Sequence, residues 1–437
     1  MDKKVTLILL VFFLAGCAAK SPYNRMYVSQ SIEERTDFEL SGASEPGEFT
    51  LPEGISLSDG LTQDEAVAVA LWNNAQFQAD LVALGFARAD LIEASLLSNP
   101  VFSFLFPVGP KQEETKLNLP IDVIWQRPRR IAAAKLDVER ISENLVQHGL
   151  GLIRNVRTAF ADLLLAQEQA VLAGEDAKLR GQIADITRAR LRAGDISELE
   201  ASISRVDSLR AEDAVLRFSN EAILSKYRLN SLLGLEPENS KYEIIPSPVD
   251  TRSETTFDEL LTTAFAARPD LRAAELAIEA AGKRVGWERS KILNFIGIID
   301  GKDKGEEHIT VGPAFQVDIP IMNRNNGNVA RAQAELEQAA LQYVAVRHSL
   351  TLEVQEAYNH YVLVHKEFEI WHSDIVPSLE EAVDQAQKAY IAGEESYLFV
   401  LETMRQLSEA RMRKAELAAD LRRAAAQLSY CTGKKII

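Results

Sequence analysis

Residues suited to redox, metal or disulfide chemistry are scarce in this chain. Of 437 residues, two are cysteine and six are histidine, and aromatic residues make up 7%. The cysteines are Cys17 and Cys431, and no two histidines have the i, i+4 spacing of a metal site on one helix. Cys431 lies in a leucine-rich stretch and is predicted to be a small buried side chain. We therefore expect no disulfide, no metal site and no cofactor.

Signatures of catalysis and of nucleic-acid binding are also missing. The sequence has no phosphate-binding glycine loop, no dinucleotide turn and no nucleophile elbow. Acidic residues outnumber basic residues by 64 to 48, which gives a formal net charge of -16. Nucleic-acid binding requires lysine and arginine to displace counterions from phosphates, so this partner is not expected. We predict that the chain is not an enzyme and has no catalytic residues.

The amino terminus carries an export signal. A basic start precedes an apolar run from Val5 to Ala15, which is too short to span a bilayer as a helix. The segment Leu14–Cys17 (LAGC) matches the bacterial lipobox, so Cys17 is the predicted lipidation site and its acyl chains would anchor the protein. Ala18, in place of aspartate, suggests export to the outer membrane. The alternative is an ordinary signal peptide with an incidental cysteine.

Helical patterns dominate the rest of the chain, in which alanine, leucine, glutamate, arginine and glutamine are abundant. A break is expected near Gly174 or Gly181, and Pro377 should kink or break the helix that contains it. The predicted helices cover residues 62–97, 128–193, 197–233, 257–293, 328–392 and 397–433.

Each half also contains two segments with the alternation of a β-hairpin. Apolar residues alternate with polar ones along the arms, and turn-forming residues such as Asp300–Gly305 separate them. The arms approach the roughly 9 to 11 residues that a tilted membrane strand requires. The predicted strands cover about 101–108 and 116–125 in the first half and about 295–299 and 309–319 in the second.

The chain repeats this plan once, at a shift of about 199 residues. The segments that align are Arg192–Ser197 with Ile391–Ser396, Leu119–Ile121 with Ile319–Ile321, and Leu229–Gly234 with Leu428–Gly433. The period is too long for a solenoid, whose units run roughly 20 to 50 residues, and indicates a duplicated fold. The predicted divisions are a signal peptide (1–16), a lipidated extended tether (17–60), a first repeat (61–234), a linker (235–256), a second repeat (257–433) and a tail (434–437).

Four strands cannot close a membrane barrel, because bacterial barrels have at least eight. Unpaired backbone groups are too costly in lipid, so the strands must pair with those of other copies. Two chains would give eight strands, a number at which side chains largely fill the barrel. Three chains would give twelve strands and place six equivalent repeats around one axis. The predicted fold is therefore mainly α with a small β part. It is a duplicated helix, β-hairpin and long α-hairpin unit that forms a homotrimer, in which a twelve-stranded membrane β-barrel continues as a periplasmic α-helical barrel.

Three motifs support a resemblance to a known family. They are Leu61–Ala66 (LTQDEA) with Asn73 and Asn74, Asn323–Ala332 (NRNNGNVARA), and Tyr390–Glu402 (YIAGEESYLFVLE). Their order and spacing resemble the TolC-like outer-membrane efflux family, in particular its lipoprotein members that serve resistance-nodulation-division (RND) pumps and heavy-metal exporters. The resemblance covers almost the whole chain after the tether.

This resemblance implies a lipid-anchored exit duct of the cell outer membrane with a large periplasmic part. Such a duct passively conducts what an inner-membrane efflux pump, here of the RND type, and a periplasmic membrane-fusion adaptor deliver. Its other contacts are with outer-membrane lipid. The exported compound is chosen by the pump and is not encoded in this chain.

The resemblance also indicates a periplasmic mouth. In the family, acidic residues follow the second tip glycine at two positions, which here hold Phe399 and Glu402. Glu200 occupies the position of Phe399 in the first half. We predict that these three residues lie at the mouth, where Glu402 would focus negative potential and Phe399 would form an apolar constriction. The alternative is that Phe399 packs between helices and Glu402 is solvated.

The turns between the long helices resemble the adaptor-contacting tips of the family. The predicted contact residues are Arg192, Gly194 and Asp195 in the first tip and Gly393, Glu394 and Glu395 in the second. Arg188, Arg190 and Arg192 could pair across the tips with Glu394 and Glu395 and hold the mouth shut. Solvated charges at helix ends are the alternative, because surface ion pairs are weak.

Three other functions are compatible with parts of the sequence. One is a structural periplasmic coiled-coil lipoprotein without a pore, against which the apolar hairpins at matching places in both halves argue. A second is the exit duct of a type I secretion system. A third is a lipoprotein enzyme of the cell wall, which no catalytic constellation supports.

Overall fold

The structure is a computed structural model and describes residues 19–40, 48–106, 113–236, 241–248, 256–303, 309–392, 394–395 and 397–435. Helices dominate it, and one small sheet accompanies them, in agreement with the predicted fold class. Within these ranges, no helix combines the length and the apolar content needed to cross a membrane.

The two halves share the same order of elements. The first half contains α1 (Arg25–Thr36), α2 (Gln63–Asn73), α3 (Ala75–Ser95), β1 (Val101–Leu105), β2 (Glu113–Pro120), α4 (Val123–Ala193) and α5 (Glu198–Leu233). The second half contains α6 (Phe257–Ala267), α7 (Pro269–Ser290), β3 (Phe295–Asp303), β4 (Ile309–Val317), α8 (Asn326–Ile370), a π-helical turn (Trp371–Ile375), α9 (Val376–Ala392) and α10 (Tyr397–Thr432). The counterpart of α4 is thus made of α8, the π-helical turn and α9.

Residue contacts divide the chain into two compact units. The first comprises Met1–Val28, Asp80–Val146 and Pro269–Ser349 and contains the sheet. The second comprises Ser29–Ala79, Gln147–Arg268 and Leu350–Ile437 and contains both helical tips. Each unit draws on both halves of the chain, because matching elements of the two halves pack together.

The segment predicted to be an extended tether, residues 17–60, contains a packed helix. Val28 and Ile32 of α1 lie four residues apart and are fully buried. A Cβ atom on Gly149 of α4 would lie only 2.5 Å from Cδ1 of Ile32, so this glycine leaves room for α1 to pack closely. The tether prediction was wrong for this stretch, because short helices are stabilised mainly by tertiary contacts, which local sequence patterns do not reveal.

The helices predicted at 62–97 and 257–293 are each divided in two. After α2, Asn74 has an extended backbone, and its Nδ2 donates to the carbonyl of Leu232 at 2.9 Å. After α6, Arg268 is extended as well, because Pro269 follows it. Nη1 of Arg268 donates to the carbonyl of Tyr430 at 3.4 Å. In both halves, the side chain at the break therefore caps the end of the last helix of that half.

The long helices differ in their continuity. Gly174 and Gly181 lie inside α4, which has 71 residues and no break, so the predicted interruption there was wrong. A helical glycine costs about 1 kcal/mol relative to alanine, which packing along a long helix can outweigh. The disturbance predicted at Pro377 takes the form of a π-helical turn just before it, and the helix continues through Pro377. In this turn, the N–H of Val376 donates to the carbonyl of Trp371.

Strand limits differ from the predictions in all four strands; β2 begins at Glu113 instead of near residue 116, and β4 ends at Val317 instead of near residue 319. β2 ends at Pro120 instead of near residue 125, and α4 begins at Val123, since proline cannot donate to the sheet ladder. β3 extends to Asp303, so its last four residues are strand and not turn, because they pair with Glu113–Lys116 of β2. β1 ends at Leu105, and residues 107–108 of the predicted strand lie outside the described residues.

One apolar core cluster of the second unit joins α6, α8 and α10. Its buried members on α8 and α10 recur at helical spacing and include Leu350, Val354, Leu417, Leu421 and Leu428. Burying a leucine side chain contributes about 1.5–3 kcal/mol. This cluster therefore holds the long hairpin of the second half together at its base.

The last helix of each half ends at a glycine whose backbone is in the left-handed region. Gly234 has φ 69° and Gly433 has φ 71°. A Cβ atom on Gly234 would lie 2.3 Å from the carbonyl oxygen of Asn73, and one on Gly433 would lie 3.1 Å from that of Ala267. Both positions thus need the absence of a side chain as well as the unusual φ.

We expect Gly234→Ala to lower the free energy of unfolding by about 1–3 kcal/mol, because it adds left-handed strain and a collision with backbone. Gly433→Ala should cost less, because the contact is longer. Gly282→Ala is the control: its Cβ atom would meet nothing within 4 Å inside α7, and alanine is the better helix former. Unfolding followed by circular dichroism measures the stability of all three variants. Equal stability of the Gly234→Ala and Gly282→Ala proteins would contradict the requirement for glycine at position 234.

Candidate functional site

The four strands form one antiparallel sheet in the order β1-β2-β3-β4. The central pair joins the two halves of the chain, with Leu117 opposite Ile299 and Lys116 opposite Asp300. The sequence predicts two separate hairpins, and the structure merges them into one continuous sheet.

One face of this sheet is largely apolar, and its polar residues Glu113, Thr115 and Asp303 lie toward the hairpin turns. Side chains of directly paired residues project to the same side and successive residues project to opposite sides, so the register assigns each residue to a face. Phe315 is 69% exposed and its ring stacks on that of Phe295 at 5.5 Å. The large apolar residues of this face are Phe102, Phe104, Leu117, Leu119, Phe295, Ile299, Val311, Phe315 and Val317.

The opposite face carries most of the sheet's charges, together with the apolar side chains of Val101, Leu105, Ile296 and Ile298. Nζ of Lys302 lies 3.4 Å from the Glu114 carboxylate and 3.9 Å from that of Asp300, and Nζ of Lys116 lies 3.5 Å from Glu114. The polar residues of this face are Ser103, Glu114, Lys116, Asn118, Asp300, Lys302, Thr310 and Gln316. These charges were not predicted from the sequence, although charged and apolar residues alternate along β2.

Strands β1 and β4 are the edges of the sheet, and each has one side without a partner among the described strands. Such an edge presents a row of backbone N–H and C=O groups that can pair with another chain. Because neighbouring strands in this sheet are all antiparallel, β1 and β4 run in opposite directions. An edge-to-edge contact between β4 of one copy and β1 of the next would therefore continue the same pattern.

The first helical tip is closed by a Schellman turn. Gly194 has φ 81°, its N–H donates to the carbonyl of Leu191 at 3.0 Å, and the N–H of Asp195 donates to that of Arg190 at 2.9 Å. This pair of bonds satisfies carbonyl groups at the end of α4. The turn leaves Asp195 exposed.

The second tip has a backbone hydrogen bond that spans five residues, like the one from Asp195 to Arg190 in the first tip. The N–H of Glu394 donates to the carbonyl of Ala389, five residues back, at 2.9 Å. Glu394 and Glu395 are exposed, and Gly393 lies outside the described residues. Contact of either tip with an adaptor stays a prediction.

Arginines near the first tip are engaged on their own helix. Arg188 pairs with Asp185 at 2.9 Å, and Nε of Arg192 donates to the carbonyl of Arg188 at 3.4 Å. Within one chain, and among the residues that the structure describes, no ion pair joins these arginines to Glu394 or Glu395. The expected pairing across the tips is therefore not formed within one chain, because partners one helical turn away are easier to reach.

Glu200 has a structural role at the start of α5. Its carboxylate accepts the N–H of Ser197 at 3.2 Å, and its own N–H donates to Oγ of Ser197 at 3.2 Å. This capping box satisfies two N–H groups at the helix start. A role of Glu200 at the mouth stays a prediction.

Glu402 is exposed on α10 and has an arginine partner that was not predicted. Nη2 and Nε of Arg405 donate to its two carboxylate oxygens at 2.6 and 3.0 Å, and Nε2 of Gln406 donates at 3.1 Å. These hydrogen bonds, chiefly that of Arg405, lower the pKa of Glu402 to about 2. Arg405 also pairs with Glu409 at 2.5 Å. The i, i+3 spacing was the available signal.

Phe399 lies at the beginning of α10 with Leu398. The two side chains are 51% and 74% exposed in one chain, whereas Val400 is buried. The hydroxyl of Thr403 donates to the carbonyl of Phe399 at 2.8 Å and supports the first turn of the helix. Two exposed apolar side chains beside a carboxylate suit a narrow passage, and the constriction stays a prediction.

The predictions for the two cysteines have different outcomes. Cys17 lies outside the described residues, so its lipidation stays a prediction. Cys431 is fully buried, which confirms the predicted packing role, and burial raises the pKa of its thiol to about 11. The described residues contain no cluster of three His, Cys, Asp or Glu side chains that could hold a metal ion.

The fold is that of the TolC-like outer-membrane channels. The structure superposes on CusC with a TM-score of 0.71 at 18% identity, covering 90% of this chain and 98% of that one. It superposes on the CmeC outer membrane channel of Campylobacter jejuni with a TM-score of 0.71 at 16% identity, covering 90% and 93%.

The sequence matches the outer membrane efflux protein family over residues 113–235 and 260–434, so the chain belongs to that family. It is an outer-membrane channel of the kind that serves as exit duct in tripartite efflux systems. One relative is the cobalt-zinc-cadmium resistance protein CzcC of Cupriavidus metallidurans, 25% identical over 381 residues that span 86% of this chain and 90% of that protein. These relatives are efflux proteins and not enzymes.

We expect Arg405→Gln to strengthen the cation preference of the channel and Glu402→Ala to weaken it, both without loss of assembly. The depressed pKa keeps Glu402 charged as pH falls until about 2, whereas without Arg405, the largest cause of the shift, the carboxylate should protonate at a higher pH. At about pH 3 the cation preference should therefore persist in the unmodified channel and be weaker in Arg405→Gln. Reversal potentials in asymmetric salt measure both effects.

Arg217→Gln is the matched control, because Arg217 also pairs with a carboxylate on its own helix, Asp213, and is exposed. If the reversal potentials of Glu402→Ala and Arg405→Gln match those of Arg217→Gln, Glu402 does not line the conducting path.

Proposed function

We propose that three copies of this chain form a closed exit duct through which an efflux system passes its cargo across the outer membrane. The observation that carries the proposal is the division of the sheet into an apolar and a polar face between two unpaired edges. An apolar surface with polar backing is what a wall between lipid and water needs.

Closure requires further copies of the chain. A strand edge exposed to lipid leaves several backbone groups unsatisfied, and each costs several kcal/mol. One chain has four strands, and bacterial barrels have at least eight. Pairing of β4 with β1 of the next copy keeps the antiparallel order, and three copies supply twelve strands and six helical hairpins.

The helical hairpins give this duct its periplasmic part. In this arrangement the tips at Gly194–Asp195 and Glu394–Glu395 face a periplasmic adaptor, and the adaptor connects them to an inner-membrane pump. The Schellman turn of the first tip and the matching hydrogen bond of the second leave acidic residues exposed at both tips. Leu398, Phe399 and Glu402 then surround the entrance.

Lipidation of Cys17 would hold the amino terminus of each chain at the membrane surface and add the mass of the acyl chains to the mature protein. Anchoring supplements the insertion of the sheet and is not required for it.

We expect Phe315→Arg to prevent insertion into the outer membrane and Gln316→Arg to permit it. The two residues are neighbours on β4, but they project from the apolar and the polar face respectively. An arginine facing lipid costs about 2–4 kcal/mol at mid-membrane, whereas one facing water alters mainly the ion selectivity.

Membrane fractionation, the mass of the detergent-solubilised complex and conductance in planar bilayers measure these outcomes. The unmodified protein should give trimers and channels, and Gln316→Arg should give trimers with an altered reversal potential. A stable monomer without conductance, or equal insertion of both variants, would rule out the duct and leave a structural coiled-coil lipoprotein.

Divalent transition-metal cations are the cargo class that we propose. The extensive similarity to CzcC, a cobalt-zinc-cadmium resistance protein, supports this choice. Deletion of the gene should increase sensitivity of the bacterium to zinc, cobalt or cadmium, and the unmodified gene should restore resistance. An increase confined to lipophilic dyes would assign organic compounds instead, and a defect in protein export alone would favour a type I secretion duct.

A further inference from the structure

A cavity in the second compact unit collects positive charge in a chain whose net charge is -16. It is a small pocket that is partly open to solvent, so a bound group can extend out of it. Residues that line it include Thr36 at the end of α1, Arg154 and Arg157 on α4, and Tyr430, Lys434 and Lys435 at the end of α10. None of the described residues that line the cavity is acidic.

Arg157 is the most deeply buried of these cations. It is 8% exposed, and its Nε atom has no hydrogen-bond partner among the described residues. The carboxylate of Asp64 lies 3.6 Å from Nη2, and the ring of Phe38 lies 5.9 Å from the guanidinium carbon. Burial lowers the pKa of Arg157, which reflects the cost of a charge removed from water. A buried guanidinium with an unused N–H donor is costly, and an additional hydrogen-bond acceptor would reduce that cost.

The other cations are held in position by neighbours that leave much of their charge uncompensated. The guanidinium of Arg154 lies over the ring of Tyr430 at 4.4 Å and donates to the amide oxygen of Asn155 at 2.8 Å. Lys435 lies 3.3 Å from Asp37, whose side chain is 80% exposed. Two cations, Arg154 and Lys434, have no carboxylate partner among the described residues.

The duplicated half lacks this arrangement. Ala159–Phe160 of α4 aligns with Ala357–Tyr358 of α8, which places Leu352 and Gln355 at the positions of Arg154 and Arg157. Gly234 aligns with Gly433, so residues 235–236, a leucine and a glutamate, stand where Lys434 and Lys435 do. The shared fold therefore does not require these four cations.

We propose that this cavity binds a compact oxyanion, a phosphate or carboxylate group. A guanidinium offers several N–H donors in a planar fork that matches such groups, and the lysines add positive charge from a second direction. The bound group connects α1, α4 and the end of α10, which are far apart in sequence. Its binding should consequently stabilise the folded protein.

The full chain, purified in an uncharged detergent, is titrated with inorganic phosphate at constant ionic strength, and the thermal midpoint is recorded. We expect a saturable rise of the midpoint with phosphate. Arg157→Gln should raise the apparent dissociation constant at least about tenfold, because it removes charge-assisted hydrogen bonds. Lys434→Gln should raise it about threefold and leave folding intact, because Lys434 is exposed.

Arg217→Gln is again the control, since it removes one positive charge from the same unit at a place that does not line the cavity. It should keep the phosphate response of the unmodified chain. If Arg157→Gln does not fold, the phosphate responses of Lys434→Gln and Arg154→Gln test the proposal instead. A phosphate response that these variants leave unchanged, or that Arg217→Gln weakens equally, would overturn the proposal.

Two further titrations distinguish the source of the group. Acetate tests a free carboxylate, and a short-chain phosphatidylglycerol tests a lipid headgroup. The probe with the lowest dissociation constant that depends on Arg157 or Lys434 identifies the ligand class. If none of the three probes stabilises the protein through these residues, the cavity is not an oxyanion site. None of these outcomes depends on whether the chain conducts.

Discussion

The pairing of β2 with β3 is the interaction on which the rest of this molecule depends. It joins the hairpins of the two halves, and its register puts Leu117 beside Ile299 on one face and Lys116 beside Asp300 on the other. A slip by one residue would exchange the faces of one hairpin and bring charges to the apolar side. Because this register is kept, the sheet is amphipathic, and its two edges remain available to further copies.

Duplication explains why so much of the chain obeys one set of local rules. In each half, the side chain at the break in the first helix caps the last helix. The left-handed glycine that ends this last helix packs against the backbone at the same break. The halves diverge where a single copy of a feature suffices. Glu402 and Arg405 form their ion pair only on α10, and the four cations around the cavity are confined to residues from the first half's α4 and the second half's end.

Local patterns predicted the strongly signalled features well. The tip at Gly194, the helical disturbance at Pro377 and the buried Cys431 each follow from one residue and its neighbours. Other features depended on partners far away in sequence. α1 exists because Ile32 finds room at Gly149, and β3 extends to Asp303 because β2 offers partners, which no local pattern of either segment indicates. Gly174 and Gly181 fail as breaks for the same reason, since packing along α4 outweighs their weak helix propensity.

By itself, the sequence determined which elements form, their order and their repetition, because helical and strand periodicity, caps and turn residues act over a few positions. It also contained the motifs that placed the chain in its family. Tertiary structure alone decided which charges oppose one another, which face of the sheet is apolar and that Arg154, Arg157, Lys434 and Lys435 surround one cavity. Those outcomes depend on distances between residues hundreds of positions apart, and such distances exist only once the backbone has closed on itself.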